Sequence, residues 1–306
     1  PMTAAQPTPA ARPPYASPGA WRICYVHAAD IGAPSDDTAW NAVCERARAA
    51  GFDMLMCSPL WRLPEGARLF APLDADQCDP TVQAGRSMED ALRRLVDATA
   101  RHGLDLALDL LVGRVAVDAV PGTLDPAWFR TQADDSDRDP RQPAAQWEVL
   151  RLRDGPPAPA FLQQWQERLT RWIRGGVKGF RCLEPHHLGG EAWREMLAPL
   201  RQAFSDARFF AWTPGLNPWQ IQDLRQAGFD AVYSSLPWWN LRAPWLAQED
   251  LRLRAVAPVI AMPEPPFEQA DPLRFERAMW AAAVSGDGIM AMPRGDTQWD
   301  IAGKAV

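Results

Sequence analysis

The sequence predicts an α/β fold in which eight parallel strands close into a (β/α)8 TIM barrel. Short apolar segments alternate with longer amphipathic segments from Trp21 onward, which is typical of repeated βαβ units. Most of the apolar segments are uninterrupted, as expected of parallel strands that are buried on both faces. The length of 306 residues is sufficient for one such barrel. The predicted strands are residues 22–27, 53–58, 105–112, 179–183, 208–212, 231–234, 258–262 and 288–292.

Helices are predicted between these strands from apolar residues that recur on one helical face. The clearest begins at Ser87, where Asp90 follows at the spacing of a capping box, with Asp in place of the usual Glu. Leu92, Leu95 and Val96 then lie on one face of this helix. The predicted helices are residues 38–50, 87–102, 161–174, 191–204, 218–227 and 273–285.

The domain organisation predicted from the sequence is one leader and one barrel. Residues 1–20 are rich in proline and alanine and predict a disordered leader, whereas residues 21–306 form the barrel. A long loop at about 113–157 follows the third strand. It begins at the carboxyl end of that strand, on the face of the barrel where active sites lie. The acidic run 134–139 in this loop is interpreted as solvated surface, because it lacks the glycine and terminal glutamate of a calcium loop. Few residues follow Met292, which leaves open an incomplete barrel end and a chain that is a piece of a longer protein.

Composition excludes several classes of protein. The formal net charge of −6 argues against binding to nucleic acid or to an anionic membrane. No apolar run has the roughly 20 residues of a membrane helix, and no signal-peptide pattern is present at the N-terminus. The odd number of widely spaced cysteines, without a C-x-x-C motif, predicts reduced thiols and a cytoplasmic location. His186 and His187 are adjacent and unsuited to ligating one ion, so neither a metal site nor a cofactor is predicted. The five cysteines are Cys24, Cys44, Cys57, Cys78 and Cys182.

Four segments in chain order carry the pattern of a known family. The second strand ends in Ser58-Pro59-Leu60-Trp61, the third contains Asp109, and the last is followed by Pro293-Arg294-Gly295. The fourth strand and its turn read Gly179-Phe180-Arg181-Cys182-Leu183-Glu184-Pro185-His186. This ordered set resembles the α-amylase superfamily, glycoside hydrolase family thirteen. Within that superfamily it is most similar to the bacterial α-1,4-glucan:maltose-1-phosphate maltosyltransferases.

The resemblance implies that both catalytic carboxylates have been replaced. The family pattern Gly-x-Arg-x-Asp on the fourth strand delivers the nucleophile, but Arg181 is followed two residues later by Leu183. The acid/base glutamate of the fifth strand corresponds to Trp212. Retaining glycosidases need two carboxyl groups, so loss of both removes covalent catalysis and proton transfer together. No catalytic residue is therefore predicted by the family pattern.

Other strand ends also depart from that pattern. Gly113 and Arg114 stand where the family has an Asn-His pair that contacts the sugar, and the stretch 260–266 lacks the His-Asp of the seventh strand. We therefore expect an altered substrate site.

Three relocated carboxylates are the alternative catalytic candidates: Glu184, Glu264 and Asp109. Glu184 follows Leu183 directly, so the two side chains should point in opposite directions, and Glu184 is interpreted first as a turn residue. Glu264 lies among prolines at the end of the seventh strand and fits either the rim or the site. Asp109 is interpreted first as a structural partner of Arg181.

Candidate substrate-binding residues combine charged and aromatic side chains at predicted strand ends. Indole rings offer apolar faces that stack on sugar rings, and the chain contains fifteen tryptophans. Trp212 is interpreted first as a plug of the former site. Trp239 is interpreted as a stacking platform, because Asn240 and Arg242 follow it. The candidates are Arg181, Asp109, Arg114, Trp61, Trp212 and Trp239.

Three functional hypotheses remain from the sequence. The first is a bacterial pseudoenzyme of carbohydrate metabolism that binds α-glucan or maltooligosaccharide without cleaving it, or scaffolds other domains of a longer polypeptide. The second is an active glycoside hydrolase or maltosyltransferase that uses relocated carboxylates. The third is a protein-interaction module with a filled pocket. We favour the first, and so expect no enzymatic activity from this chain.

Overall fold

The structure is a computed structural model, and it describes residues 21–31, 38–82, 87–119, 124–132, 138–268 and 271–306. The predicted leader, residues 1–20, lies outside the described residues. So do residues 134–137 of the acidic run.

Eight parallel strands form a closed barrel, which confirms the predicted fold. Each strand pairs with its neighbours in chain order, and the first also pairs with the last: Cys24 lies opposite Leu55 on one side and Ala291 on the other. Every strand lies within its predicted range. The barrel strands are β1 Arg22–Val26, β2 Met54–Cys57, β3 Asp105–Leu110, β4 Gly179–Cys182, β5 Arg208–Ala211, β6 Ala231–Tyr233, β7 Val259–Ala261 and β8 Gly288–Ala291.

The strands are apolar because both of their faces are covered. Every residue of β2, β3 and β4 is buried, with one face turned to the barrel interior and the other to the surrounding helices. Asp109 on β3 and Arg181 on β4 are charged residues within these buried strands, and they lie opposite each other in the strand register. All five cysteines are buried and free.

Helices surround the barrel, and three of them, at residues 28–31, 245–254 and 295–305, were not predicted. The helix at residues 245–254 has only Glu249 and Leu253 buried, so it lacks the apolar stripe that would reveal it in the sequence. The helix at residues 295–305 follows β8, at the end of the barrel that the sequence analysis considered incomplete. The helices are α1 Ala28–Ile31, α2 Thr38–Ala49, α3 Met88–Arg101, α4 Pro159–Arg174, α5 Gly190–Ala203, α6 Pro218–Asp223, α7 Trp245–Arg254, α8 Phe275–Ser285 and α9 Gly295–Ala305.

Two of the predicted helices are partly 3-10 turns in the structure. The predicted helix 218–227 is α6 followed by a 3-10 turn, Leu224–Gln226, and α8 is preceded by a 3-10 turn, Pro272–Arg274. Three further 3-10 turns are Pro126–Trp128, Pro185–His187 and Leu236–Trp238.

The long segment after β3 contains its own antiparallel sheet. Strands Arg114–Ala116 and Phe129–Thr131 both pair with Val149–Leu152, which lies between them. Between the outer strand and the central one, residues 138–145 cross the mouth of the barrel, and we call them the strap. A second small sheet pairs Trp61–Arg62 with Asp74–Cys78.

Among the described residues, no helix has the length and apolar character needed to cross a membrane.

Candidate functional site

The middle of the barrel mouth is occupied by an ion pair between Arg181 and Asp109. Arg181 Nε lies 2.6 Å from Asp109 Oδ1, and Arg181 Nη2 lies 2.8 Å from Asp109 Oδ2. The Tyr25 hydroxyl donates to Asp109 Oδ2 at 2.8 Å. Burial alone would lower the pKa of the Arg181 guanidinium, but the charge of Asp109 raises it above its ordinary value. The pairing expected from the sequence is thus present, and both side chains are fully enclosed.

Aromatic rings enclose the Arg181 guanidinium on its remaining sides. Four ring centroids lie between 4.6 and 5.4 Å from Arg181 Cζ, a distance at which the negative face of a ring attracts a cation. As placed, Arg181 offers no surface to a ligand. The four rings belong to Tyr25, Trp212, Tyr233 and Phe267.

Leu183 and Trp212 fill the positions that the resemblance assigns to the two catalytic carboxylates. Leu183 is 1% exposed and Trp212 is 0% exposed. The Trp212 indole Nε1 donates to the carbonyl oxygen of Arg141 in the strap at 3.1 Å. Its ring packs against Tyr233 and Phe267, with centroid distances of 5.4 and 5.3 Å. Both side chains are therefore buried, and the interpretation of Trp212 as a plug stays a prediction.

Glu184 adopts a left-handed backbone conformation, with φ of 47°, and starts the turn Pro185–His187. This turn buries its side chain, which forms an ion pair with Arg114, and His187 Nδ1 lies 3.3 Å from Glu184 Oε2. Burial alone would raise the pKa of the Glu184 carboxyl, but the charge of Arg114 and then His187 lower it to about 2. Glu184 is thus an ionised turn residue and a poor proton donor at neutral pH.

Arg114 joins Glu184 to the strap. The Arg114 side chain is buried, and its Nη1 donates to the carbonyl oxygen of Pro143 at 3.1 Å while Nη2 contacts Glu184. The substrate-binding role predicted for Arg114 stays a prediction, because these partners already use its charged end.

The strap is held to the barrel by both backbone and side-chain bonds. Its carbonyls at residues 141 and 143 accept hydrogen bonds from Trp212 and Arg114 respectively, and Arg138 donates to the Gln142 carbonyl within the strap. The Gln142 side chain adds a bond from its Nε2 to the carbonyl oxygen of Pro214. The strap therefore covers the site at which the resemblance would place the reacting sugar.

A large cleft lies on the outer side of the strap, between the strap and residues 62–70 after β2. Its volume is about 1220 Å³, and we call it the mouth cleft. Trp238 and Phe267 supply apolar surface there, and His27 lines it from the end of β1. The sequence missed this cleft, because its shape depends on how two loops lie against each other.

The mouth cleft carries a surplus of positive charge. Five arginines line it against three carboxylates. Arg62, Arg68 and Arg294 are exposed and form no ion pair with any residue that the structure describes. A concave surface with unpaired guanidinium groups attracts anions. The arginines are Arg62, Arg68, Arg138, Arg141 and Arg294, and the acids are Glu65, Asp79 and Glu268.

The two remaining tryptophan candidates lie at the edge of this region. Trp61 is buried, with its Nε1 donating to the carbonyl oxygen of Leu69 at 2.7 Å. Trp239 is half-buried, and its Nε1 donates to the carbonyl oxygen of Ala243 at 2.7 Å. The sequence favoured Trp239 of the pair Trp238-Trp239 as the stacking residue, but Trp238 is the one that lines the mouth cleft.

Glu264 is a buried carboxyl at the end of β7. It is 8% exposed, and its Oε1 has no hydrogen-bond partner among the residues that the structure describes. Burial raises the pKa of Glu264 to about 7; Arg294 opposes this rise and Asp271 adds to it. Glu264 is therefore partly protonated near neutral pH.

Comparison with known proteins gives sequence relatives and structural neighbours. No family model matches the sequence. An α-1,4-glucan:maltose-1-phosphate maltosyltransferase of Burkholderia pseudomallei is 33% identical over 265 residues, which cover 82% of this chain and 23% of that protein. The protein of the same name from Myxococcus xanthus is 24% identical over 160 residues, covering 51% of this chain and 23% of the relative. The chain thus spans about a quarter of the length of these relatives.

Two solved α-amylases share the fold. The enzyme from Geobacillus thermoleovorans superposes with a TM-score of 0.66 at 15% identity, covering 93% of this chain and 77% of that one. The enzyme from Lactobacillus plantarum gives a TM-score of 0.65 at 18% identity, covering 90% and 71%. At these identities the neighbours support the barrel architecture alone.

Proposed function

The chain is related to the α-amylase superfamily, and from this relationship we propose that it is an α-glucan-binding barrel that does not cleave glycosidic bonds. One observation carries the proposal: Leu183 and Trp212, which the resemblance places at the two catalytic positions, are both enclosed. Retaining hydrolysis needs a nucleophilic and an acidic carboxyl group about 5–5.5 Å apart. Neither position supplies one.

We place the ligand in the mouth cleft. Its volume of about 1220 Å³ is ample for several sugar rings. Trp238 offers an aromatic face there, and Arg62, Arg68 and Arg294 offer guanidinium groups that match phosphate oxygens. The name of the relatives refers to an α-1,4-glucan and to maltose-1-phosphate. Both are therefore candidate ligands, and a scaffolding role beside other domains of a glucan-metabolising protein is part of the same proposal.

A second candidate function is catalysis by relocated carboxylates. Glu264 favours it, because a buried carboxyl with a pKa of about 7 is suited to general acid catalysis. Glu184 argues against it, because its ion pair with Arg114 keeps it ionised.

The test is a thermal-shift titration with maltoheptaose, maltose and maltose-1-phosphate, with reducing sugar and phosphate measured in the same samples. We expect Tm to rise with ligand concentration and no product to form. At a hundredfold excess over Kd, binding should raise the free energy of unfolding by about 2.7 kcal/mol. Trp238→Ala and Arg294→Ala should reduce the shift.

Other results would identify the alternatives. Product that disappears in Glu264→Gln would replace this proposal by the catalytic one. If neither a rise in Tm nor product is observed, the remaining hypothesis is the protein-interaction module.

A further inference from the structure

We propose that the outer face of α8 binds a second copy of this chain, so that the protein forms a symmetric dimer. The sequence of α8 is Phe-Glu-Arg-Ala-Met-Trp-Ala-Ala-Ala-Val-Ser, in which Glu276, Arg277 and Ser285 are the polar residues. A helix that is apolar on nearly all sides is normally covered on all sides. The barrel covers one side of α8, and the proposed partner covers the other.

One row of side chains runs along the outer face of α8. Leu273, in the turn before α8, is followed by Arg277, Trp280 and Val284 at intervals of four, three and four residues. These intervals keep the side chains on one face of a helix. Leu273, Trp280 and Val284 are 89%, 44% and 84% exposed, and Arg277 is exposed as well. We call these four residues the α8 row.

The α8 row is complementary to itself when two copies meet with their helices antiparallel. Its intervals read the same in both directions, so Leu273 of each copy faces Val284 of the other, and Arg277 faces Trp280. The first contact is apolar, and the second places a guanidinium beside an indole ring, whose face attracts cations. Every contact occurs twice, as in an isologous interface with a two-fold axis.

Both members of the Arg277–Trp280 contact are available for it. Among the described residues, Arg277 forms no ion pair, and no arginine lies over the Trp280 ring. A cation that interrupts an apolar row is thereby given a partner in the other copy. The α8 row shares no residue with the mouth cleft, so this proposal does not depend on glucan binding.

Sedimentation velocity over a range of protein concentrations measures the dimer. We expect the wild type to dimerise, and Trp280→Ala and Arg277→Ala each to weaken the dimer by at least about tenfold, because each change removes a contact that occurs twice. Trp219→Ala is the matched control. It removes another exposed indole, on α6, and should dimerise like the wild type. Circular dichroism checks that every variant is folded.

Cysteine cross-linking tests the antiparallel register. The native cysteines are all buried, so an introduced cysteine is the one that reacts. A mixture of Leu273→Cys and Val284→Cys proteins should form a disulfide-linked dimer under mild oxidation. Val284→Cys alone should not, because its two copies would lie about 16 Å apart along the helices, too far for a disulfide.

Three results would overturn the proposal. A monomer at every concentration would leave the α8 row to another domain of a longer polypeptide. A dimer that persists in both Trp280→Ala and Arg277→Ala would place the contact elsewhere on the molecule. Efficient cross-linking of Val284→Cys to itself would exclude the antiparallel register. All three are measured without saccharide, so they are distinct from a failure of the mouth-cleft proposal.

Discussion

Arg181 is the residue around which the middle of the barrel mouth is organised. A buried guanidinium must be compensated, and Asp109 and the four surrounding rings do this together. Such a pair adds little to the free energy of unfolding compared with apolar residues of similar size. Removal of one partner, however, leaves an uncompensated charge in the interior. Both side chains are enclosed, so the pair acts within the core of the barrel.

Asp109→Asn should destabilise the protein by about 3–5 kcal/mol, because Arg181 would keep its charge in the interior. Tyr25→Phe is the matched control, since it removes only the hydroxyl donated to Asp109 and should cost about 1 kcal/mol. Urea unfolding followed by circular dichroism measures both. The double variant Asp109→Leu/Arg181→Met should be more stable than Asp109→Leu alone. Equal losses for Asp109→Asn and Tyr25→Phe would show that the ion pair does not govern the core.

Of the two buried ion pairs at the barrel mouth, only the Asp109–Arg181 pair was predictable from the sequence. Both of its residues lie on strands whose register the barrel fixes. The Arg114–Glu184 pair was not. It joins a loop strand to a turn, and it requires the left-handed conformation of Glu184, for which a non-glycine residue gives little signal.

Among the elements, the contact between α5 and α6 depends on a glycine. Gly190 is the first residue of α5, and its backbone N donates to Asp223 Oδ2 of α6 at 2.6 Å. A Cβ at Gly190 would collide with the backbone carbonyl of Asp223, which cannot move without shifting α6.

Gly190→Ala should therefore destabilise the protein by about 1–3 kcal/mol through overpacking. Gly303→Ala is the control with the same chemical change. Gly303 lies inside α9, where a Cβ would be 3.5 Å from Ala50 Cα, an ordinary contact. Alanine there should stabilise by up to about 1 kcal/mol, since glycine is a poor helix former. Thermal unfolding of the two variants should shift in opposite directions; a shared direction would contradict the packing argument.

Elements were predictable where their burial is uniform. The eight strands are continuous apolar runs, so all eight were found. The helix α7 buries a carboxylate, Glu249, whose Oε1 accepts from the Ser235 hydroxyl at 2.6 Å. A polar residue in a buried position removes the periodic signal, and α7 was missed. The small sheet after β3 was missed because each outer strand has only three residues.

At the scale of the whole molecule, folding stability should depend on the protonation of Glu264. Its folded pKa is raised by burial to about 7 from an ordinary value of 4.5, so the folded state binds more protons than the unfolded state between these values. The contribution of Glu264 is thus fully present below pH 4.5 and is lost as pH rises through 7. Arg294 and Asp271 are the charged groups that modify this titration.

The measurement is Tm against pH, from about 4 to about 8, for the wild type and for Glu264→Gln. The variant cannot titrate at this position. The difference in Tm between the two proteins therefore removes the contributions of the other titratable groups. We expect the wild type to lose Tm relative to Glu264→Gln as pH rises, with a constant difference above the folded pKa. Parallel curves would show that Glu264 titrates near its ordinary value.

At the scale of the whole molecule, the clefts among the described residues were not predicted. The replacement of both catalytic carboxylates stays a prediction from the sequence, because strand positions in a barrel determine which residues reach the centre. The clefts could not be predicted, because they form where loops meet elements distant in the chain. The mouth cleft joins residues 62–70 to the strap and to Arg294, and a second cleft of about 830 Å³ joins Arg151 to Gln220.

The way the strap is anchored has a consequence for how this surface can diversify. Two of the strap's anchor points are the peptide oxygens of Arg141 and Pro143, which every amino acid provides. Exchange of the side chains at these two positions would consequently leave both of these bonds in place. Mutation of these side chains can therefore change the chemistry of the strap surface, while the barrel beneath the strap keeps its structure.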